Sequence, residues 1–344
     1  MRILRQGRFR YSRWPASPSS SPAHLIEVNL KLKPQLKLQL KLAAKPRNRN
    51  LNLLLTFPPA KLNLGLFITG KRPDGYHALE SVFLPIGWTD VLEVVASGEP
   101  GEVACEVVGR TVEGPPESNL VVRAYREVVA AADGDVPGVK AHLIKALPSG
   151  AGLGGGSSDG TWMLRALRDG FGVGLKAEAG GWGRLAERLG SDCPFFLGDG
   201  PARVSGRGEV VEPWGVGALP ALAGCHVAVL HPGVHVSTRE AFAAVTPRPA
   251  PFDVRELPGI ALEDWTGRVW NDFEAGVAAA HRPVAEALEI LERAGAAYRS
   301  LTGSGSAVYG IFKGRGAERE AAGAAEAGAD RGWAVWCGPL EAGR

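Results

Sequence analysis

A glycine-rich stretch near the middle of the chain, PSGAGLGGGSSD at positions 148–159, has the composition that points most directly to chemistry. Residues without a Cβ let the backbone approach a bulky anion closely and adopt positive φ. The residues that follow, TWMLRALRD, have the pattern of a helix. A helix that opens behind such a loop presents free N–H groups and the positive end of its dipole. The stretch therefore predicts a site for the phosphates of a nucleotide.

Two other nucleotide motifs share some of these letters. Gly150, Gly152 and Gly155 satisfy G-x-G-x-x-G, and the strand-like KAHLIKAL precedes them. A dinucleotide fold also needs a second strand that ends in an acid about 20 residues further on, whereas here a turn and another helix follow. That interpretation stays as the weaker alternative. A Walker A loop ends in Gly-Lys-Ser/Thr, but this loop ends in Gly-Ser-Ser, so a cation for phosphoryl transfer must come from elsewhere.

Two charged residues stand in unusually apolar surroundings. Lys61 and Asn63 alternate with leucines, which predicts a strand that carries both on one face. On spacing alone we interpret that face as a solvent-facing strand edge, the commoner reason for a lysine in a strand. Asp192 lies between a helix end and two phenylalanines in GSDCPFF. It is either a helix cap, the more frequent case, or a carboxylate held for chemistry.

Strands and helices that could position these residues recur along the whole chain. In the first half, the turn RPDGYH separates two strands, and further strands, a capped helix and the glycine loop follow. In the second half, helices lie between strands, and RSLTGSGSAVYGIF gives a strand, a second glycine turn and another strand. Helices against antiparallel sheets predict an α+β fold with the two glycine loops meeting in a cleft between domains. We place these domains at residues 56–214 and 215–344.

Composition sets the first 55 residues apart. They contain twelve Lys or Arg and one acid, a charge of +11, which leaves −8 for the rest of a chain whose total is +3. The acidic remainder disfavours nucleic-acid binding, which needs a clustered basic face. We interpret residues 1–55 as a basic, unstructured extension, or as the product of a start codon assigned too far upstream. An organelle transit peptide is a further alternative.

The remaining composition fits a reducing compartment, and we predict a cytoplasmic location. No apolar run approaches the ~18 residues that a membrane helix needs. The four cysteines have no C-x-x-C spacing, which argues against a zinc site or a disulfide framework and fits a reducing compartment. A plastid location is the alternative if the extension is a transit peptide.

Three stretches taken together resemble the three motifs of the GHMP small-molecule kinases, in order and in spacing. They are PAKLNLGLFITGKRPDGYHALESVF, LPSGAGLGGGSSDG and LTGSGSAVYGIF. The first is most similar to the branch of that family which phosphorylates 4-diphosphocytidyl-2-C-methyl-D-erythritol in the non-mevalonate route to isoprenoids. The resemblance covers roughly residues 57 to 340 and implies a two-domain kinase fold with ATP as the phosphate donor and Mg²⁺ bound to the ATP.

The resemblance also implies roles for individual residues. LGSDCPFF matches the family's LGADVPFF, which makes Asp192 the base for the acceptor hydroxyl and Lys61 its electrostatic partner. An alcohol needs such a base because its proton must be accepted as the new bond forms. The implied ATP-binding residues are Pro148, Ser149, Gly150, Ala151, Gly152, Leu153, Gly154, Gly155, Gly156, Ser157 and Ser158. The implied contacts with the cytidine substrate are Asn63, Tyr76, His77, Thr238 and Phe242.

Other functions remain open at this level. A GHMP kinase acting on homoserine or mevalonate would need no aromatic residue to stack on a base. A nucleotide-binding or RNA-interacting module without catalysis would instead use the basic extension. We expect a small-molecule cytidine diphosphate substrate, no nucleic-acid or membrane partner, and a monomer or homodimer. The protein ligands of magnesium are not identified by the sequence.

Overall fold

The computed structural model describes residues 53–215 and 217–340 of the 344-residue chain. The predictions for most of the basic extension therefore lie outside the described residues. The first strand begins at Leu53, inside the predicted extension, and pairs with residues 92–95. The α+β fold class is confirmed, because helices pack on three mainly antiparallel sheets. The predicted domain boundary after residue 214 stays a prediction.

The strands fall into three four-stranded sheets with orders β1-β4-β6-β5, β2-β3-β7-β8 and β10-β11-β9-β12. Only the β5–β6 pair is parallel among the pairs of the described residues. The strand bounds are β1 Leu53–Thr56, β2 Pro59–Lys71, β3 His77–Thr89, β4 Val91–Ala96, β5 Val103–Gly109, β6 Val139–Lys145, β7 Ala202–Gly206, β8 Val210–Pro213, β9 His226–His231, β10 Tyr298–Leu301, β11 Val308–Phe312 and β12 Ala334–Pro339.

Seven α-helices accompany these sheets in the described residues, together with short 3-10 segments such as Cys193–Leu197. The first helix is capped by Asn119, whose side chain accepts a hydrogen bond from Val121 N, as the sequence predicts. The helix bounds are α1 Leu120–Ala131, α2 Gly155–Arg165, α3 Gly181–Leu189, α4 Thr238–Ala244, α5 Glu274–Ala280, α6 Arg282–Arg293 and α7 Ala317–Ala329.

Helix α2 differs from the sequence prediction at its start. It begins at Gly155 inside the glycine run, whereas the sequence pattern predicted a start after Ser157 and Ser158. The reason is that Gly154 takes φ +70°, a left-handed conformation that ends the loop and opens the helix. Two glycines and two serines of the loop therefore form the first helical turn.

Three hydrophobic clusters hold the elements together. One lies between the β1-β4-β6-β5 sheet and helices α1, α2 and α3, and includes Leu92, Leu143 and Met163. The other two combine the β2–β3 pair with the C-terminal sheet, as in the cluster that joins Leu62 to Val229. Because β2 packs against both halves of the chain, it is the element on which residues from distant segments converge.

Candidate active site

Lys61 is buried on β2, so the interpretation of a solvent-facing strand edge is wrong. The residue is 2% exposed. Its Nζ donates a 2.6 Å hydrogen bond to Asn63 Oδ1 and lies 4.6 Å from the centre of the Phe83 ring. The glycine loop covers it, since Lys61 N donates to Leu153 O at 2.9 Å. Distant segments therefore bury a residue that the local pattern would leave in solvent.

The ammonium of Lys61 faces the carboxylate of Asp192. Lys61 Nζ is 3.7 Å from Asp192 Oδ2, and the Asp192 side chain is 28% exposed. Burial lowers the pKa of Lys61, while the charge of Asp192 opposes that shift. The structure thus brings together two residues from distant parts of the sequence, one buried cation and one carboxylate open to a ligand.

The structure gives no support to the alternative that Asp192 is a helix cap. Asp192 stands at the N-cap position of the 3-10 segment Cys193–Leu197, but its side chain makes no capping hydrogen bond. A cap stabilises a helix end only when its side-chain oxygen accepts a backbone N–H. The carboxylate oxygens are therefore available to a bound hydroxyl.

The glycine loop is fastened on both sides by backbone contacts. Ala307 N donates to Ala151 O at 3.1 Å, and Gly152 adopts φ +81° against the second glycine turn. A Cβ on Gly152 would lie 2.0 Å from Thr302 O, and a Cβ on Gly154 would lie 3.1 Å from Lys61 Cγ. Only glycine fits at these positions. The loop is thus a preformed backbone cradle beside Lys61.

The N-terminus of α2 opens directly onto this cradle. Gly154 at the N-cap has no side chain, and no side-chain hydrogen bond caps the helix. The N–H groups of the first turn therefore lack the usual side-chain partner, which is the arrangement that accepts phosphate oxygens. The residues from Pro148 to Ser158 remain the predicted ATP contacts.

Asn63 holds the lysine and the second glycine turn together. Its Oδ1 accepts from Lys61 Nζ, from Gly303 N at 2.8 Å and from Thr302 Oγ1 at 3.2 Å, and its Nδ2 donates to Ser81 Oγ at 3.0 Å. The residue is 1% exposed. Three of these partners were missed by sequence reasoning. The second glycine turn was the signal for Thr302 and Gly303, whereas nothing local indicated Ser81.

The predicted substrate residues form a second group of contacts. The His77 and Phe242 rings stack with centroids 5.0 Å apart and an interplanar angle of 28°. Thr238 Oγ1 lies 3.1 Å from Ser304 Oγ of the second glycine turn. Tyr76 is 58% exposed. The wall that these residues form connects, through Thr238 and Ser304, to the turn that contacts Asn63.

Arg207, which the sequence reasoning did not single out, lies against Tyr76. Its guanidinium lies 5.0 Å from the centre of the Tyr76 ring. The next residue, Gly208, is so near Asp192 that a Cβ there would lie 3.5 Å from Asp192 Oδ1. The turn between β7 and β8 therefore contacts both the exposed ring, through Arg207, and the surroundings of Asp192, through Gly208.

The cavities add little to this picture. One of about 330 Å³ opens beside Pro148 and Ser149 and is also lined by Arg110 and His231. A larger cavity, of about 500 Å³, lies between α6 and α7 and is lined by neither Lys61 nor Asp192. We locate the site by its polar geometry and not by the larger cavity.

The described residues contain neither a cluster of metal ligands nor a helix that could span a membrane. No group of three or more His, Cys, Asp or Glu side chains there is placed to hold a metal ion. No helix in that part of the chain has the length and apolar composition of a membrane span. The four cysteines, all within it, are free thiols.

Fold and site together define a small-molecule kinase of the GHMP class. Models of the GHMP kinase N-terminal and C-terminal domains match residues 119–200 and 254–330. The homoserine kinase of Cytophaga hutchinsonii shares the fold at a TM-score of 0.60 with 16% identity, over 87% of this chain and 98% of that one.

More similar proteins narrow the class. The 4-diphosphocytidyl-2-C-methyl-D-erythritol kinase of Bacteroides thetaiotaomicron is 40% identical over 76% of this chain and 93% of its own length. That of Solidesulfovibrio magneticus is 39% identical over 75% and 88%. A crystal structure of 4-(cytidine 5'-diphospho)-2C-methyl-D-erythritol kinase superimposes with a TM-score of 0.66 and 31% identity, over 84% of this chain and 99% of that one. The chain belongs to the 4-diphosphocytidyl-2-C-methyl-D-erythritol kinase family.

Proposed function

We propose that this kinase transfers the γ-phosphoryl group of ATP to the 2-hydroxyl of 4-diphosphocytidyl-2-C-methyl-D-erythritol, a step of the non-mevalonate route to isoprenoids. The observation that carries the proposal is the 3.7 Å approach of Lys61 Nζ to Asp192 Oδ2 beside the glycine cradle. Relatives that are 40% and 39% identical over 76% and 75% of this chain bear the name of this activity. We also propose that the enzyme acts in the cytoplasm.

Transfer proceeds in one direct step. The acceptor oxygen attacks the γ-phosphorus, the bond to the β–γ bridging oxygen breaks, and ADP leaves. Asp192 takes the hydroxyl proton as the new bond forms and later releases it to water. Lys61 stabilises the charge that develops on the acceptor oxygen, and its buried position strengthens that interaction. The chain therefore contributes positioning and charge, which is what phosphoryl transfer needs most.

Magnesium enters as part of the Mg-ATP substrate. Phosphate oxygens and water would supply most of its ligands, with the hydroxyl of Ser157 or Ser158 in the first turn of α2 as the contribution of the chain. The ion neutralises charge on the phosphates when bound. The chain's own part is the cradle, where Gly154 leaves room that a Cβ would fill against Lys61.

The aromatic wall recognises the cytosine. Tyr76 offers an exposed ring for stacking, and the stacked pair of His77 and Phe242 fixes the edge of the pocket. Thr238 adds a hydroxyl from α4, and Asn63 orients Lys61 beneath the methylerythritol group. These assignments account for a cytidine substrate, which homoserine and mevalonate do not resemble.

A substrate panel tests the proposal. ADP release is measured with ATP and each of three acceptors: the cytidine compound, homoserine and mevalonate. We expect turnover with the cytidine compound and values of kcat/KM lower by about 10³-fold or more for the other two, because neither can fill the aromatic pocket. Equal or faster turnover of homoserine or mevalonate would refute the proposed substrate.

A further inference from the structure

Three buried charges below the glycine loop take no part in the chemistry described above. Asp90 follows β3, Lys145 ends β6, and Asp159 lies in α2; they are 0%, 4% and 2% exposed. The ammonium of Lys145 donates to Asp90 Oδ2 and, at 2.7 Å, to Asp159 Oδ2. One cation thus stands between two carboxyl groups from separate elements.

These contacts join the two ends of the loop. Asp90 Oδ1 accepts from Ala146 N at 2.6 Å and from Leu147 N at 2.8 Å, which holds the segment that enters the loop. Asp159 stands one turn into the helix that leaves it. Between them run the glycines, whose backbone is the most costly to order.

The position of the ammonium is tight as well. A Cβ on Gly155, the first residue of α2, would lie 3.4 Å from Lys145 Nζ and 3.2 Å from Leu147 Cβ. The lysine side chain therefore packs directly under the helical turn whose N–H groups face the cradle. Lys145 is therefore placed to set the position of that turn.

The cluster is poorly suited to a purely stabilising role. Buried ion pairs often only balance the cost of removing their charges from water. Here Asp159 Oδ1 is also buried without a hydrogen-bond partner among the described residues. Burial, opposed by Lys145 and reinforced by Asp90, raises the pKa of Asp159 to about 8. What the cluster does provide is a fixed separation between the end of β6 and α2.

We propose that Asp159 and Lys145 are positioning residues for ATP: their contact ties α2 to β6 and so fixes the spacing of the phosphate cradle. The inference rests on the proposed ATP-dependent function. It predicts that breaking this contact weakens ATP binding while leaving the cytidine pocket and the Lys61–Asp192 pair unchanged.

Asp159→Ala is the most selective test, because Lys145 keeps its partner Asp90 and no unpaired charge is created. We expect the KM for ATP to rise about tenfold or more, since small displacements of a binding cradle are costly. The KM for the cytidine compound should stay within about twofold of wild type. Asp159→Asn keeps the shape and one acceptor oxygen, so its KM for ATP should rise only about two- to threefold.

Asp199→Ala is the matched control. It removes the exposed carboxylate that pairs with Arg165 at the other end of α2 and should change neither KM. Circular dichroism and thermal unfolding check that each variant is folded. If Asp159→Ala does not fold, Asp159→Ser, whose hydroxyl stops short of the position of Asp159 Oδ2, decides the question: we expect the same rise of about tenfold in the KM for ATP, and a wild-type KM there overturns the inference.

The other outcomes separate the two proposals. If Asp159→Ala raises both KM values alike, or neither, the positioning role is wrong while the proposed function stands. If the wild-type enzyme does not transfer phosphate from ATP to the cytidine compound, the proposed function fails, whatever the variants do. A loss in kcat alone would place Asp159 in the chemical step and would also contradict the inference.

Discussion

At the residue scale, the proposed chemistry depends on one buried ammonium, that of Lys61, and on the carboxylate of Asp192 beside it. Lys61 is held by Asn63 from the same strand and faces Asp192, which comes from a distant segment of the chain. The family resemblance in the sequence was enough to select these three residues as candidates. The burial of Lys61 could not, because alternation on β2 is the same whether a lysine faces solvent or a covering loop.

The exposed ring of Tyr76 gives a test at the same scale. Tyr76→Ala should raise the KM for the cytidine compound by about 5- to 150-fold, the equivalent of the 1–3 kcal/mol that stacking of a base on an aromatic ring contributes. The KM for ATP should not change, and because the side chain is 58% exposed, stability should fall little. Steady-state kinetics with each substrate varied in turn measures both values.

Val210→Ala, which truncates another exposed side chain on β8, is the control for Tyr76→Ala. It should leave both KM values unchanged. A parallel rise in the two KM values of Tyr76→Ala would indicate disturbed packing and would argue against base stacking.

At the element scale, the two glycine turns act as one unit. The backbone of Gly152 lies against Thr302 and Gly303, and Ala307 is hydrogen-bonded to Ala151. The glycine runs in the sequence predicted both turns, and the strand predicted before each turn is present. Their mutual contact was expected only in outline, because which glycines touch depends on φ values and on packing between distant strands. The early start of α2 at Gly155 escaped prediction for the same reason.

Gly152→Ala tests this unit. A Cβ there would meet Thr302 O at 2.0 Å, so the loop must move, and we expect the KM for ATP to rise about tenfold or more. The positive φ adds roughly 1–2 kcal/mol of destabilisation. Gly267→Ala is the matched control, since Gly267 has φ +77° and no atom within 4 Å of the added Cβ. Gly267→Ala should lose similar stability because of its positive φ and should keep the wild-type KM for ATP. Equal KM values for ATP in the two variants would contradict the claim that the two glycine turns act as one unit.

At the scale of the whole molecule, the β2–β3 pair is shared between the glycine loop and the C-terminal sheet. Tyr309 on β11 donates a 2.7 Å hydrogen bond to Asn63 O, and Trp265 and Tyr298 pack in the same cluster. The α+β class followed from the order of strands and helices in the sequence. The sharing of β2 did not, because hydrophobic alternation shows that a face is buried and not which segment buries it.

Stability of the whole molecule should depend on pH through His231 on β9. Burial, assisted by the charge of Arg110, lowers the pKa of His231 to about 4, from an ordinary value of 6.5. Between these values the unfolded chain binds the proton and the folded chain does not. Stability from this group is therefore present above pH 6.5 and is lost as the pH falls through 4. His231→Gln should flatten that part of the curve of thermal unfolding against pH, and an unchanged slope would show that other groups govern it.

The most direct test of the account is the turnover of Asp192→Asn with Mg-ATP and the cytidine compound. The substitution keeps the shape of the side chain and removes the base, and Asp199→Asn serves as the exposed carboxylate control. We expect kcat to fall by about 10²–10⁴-fold in Asp192→Asn, with the melting temperature close to wild type. Wild-type turnover in a folded Asp192→Asn would contradict the assignment of Asp192 as the base.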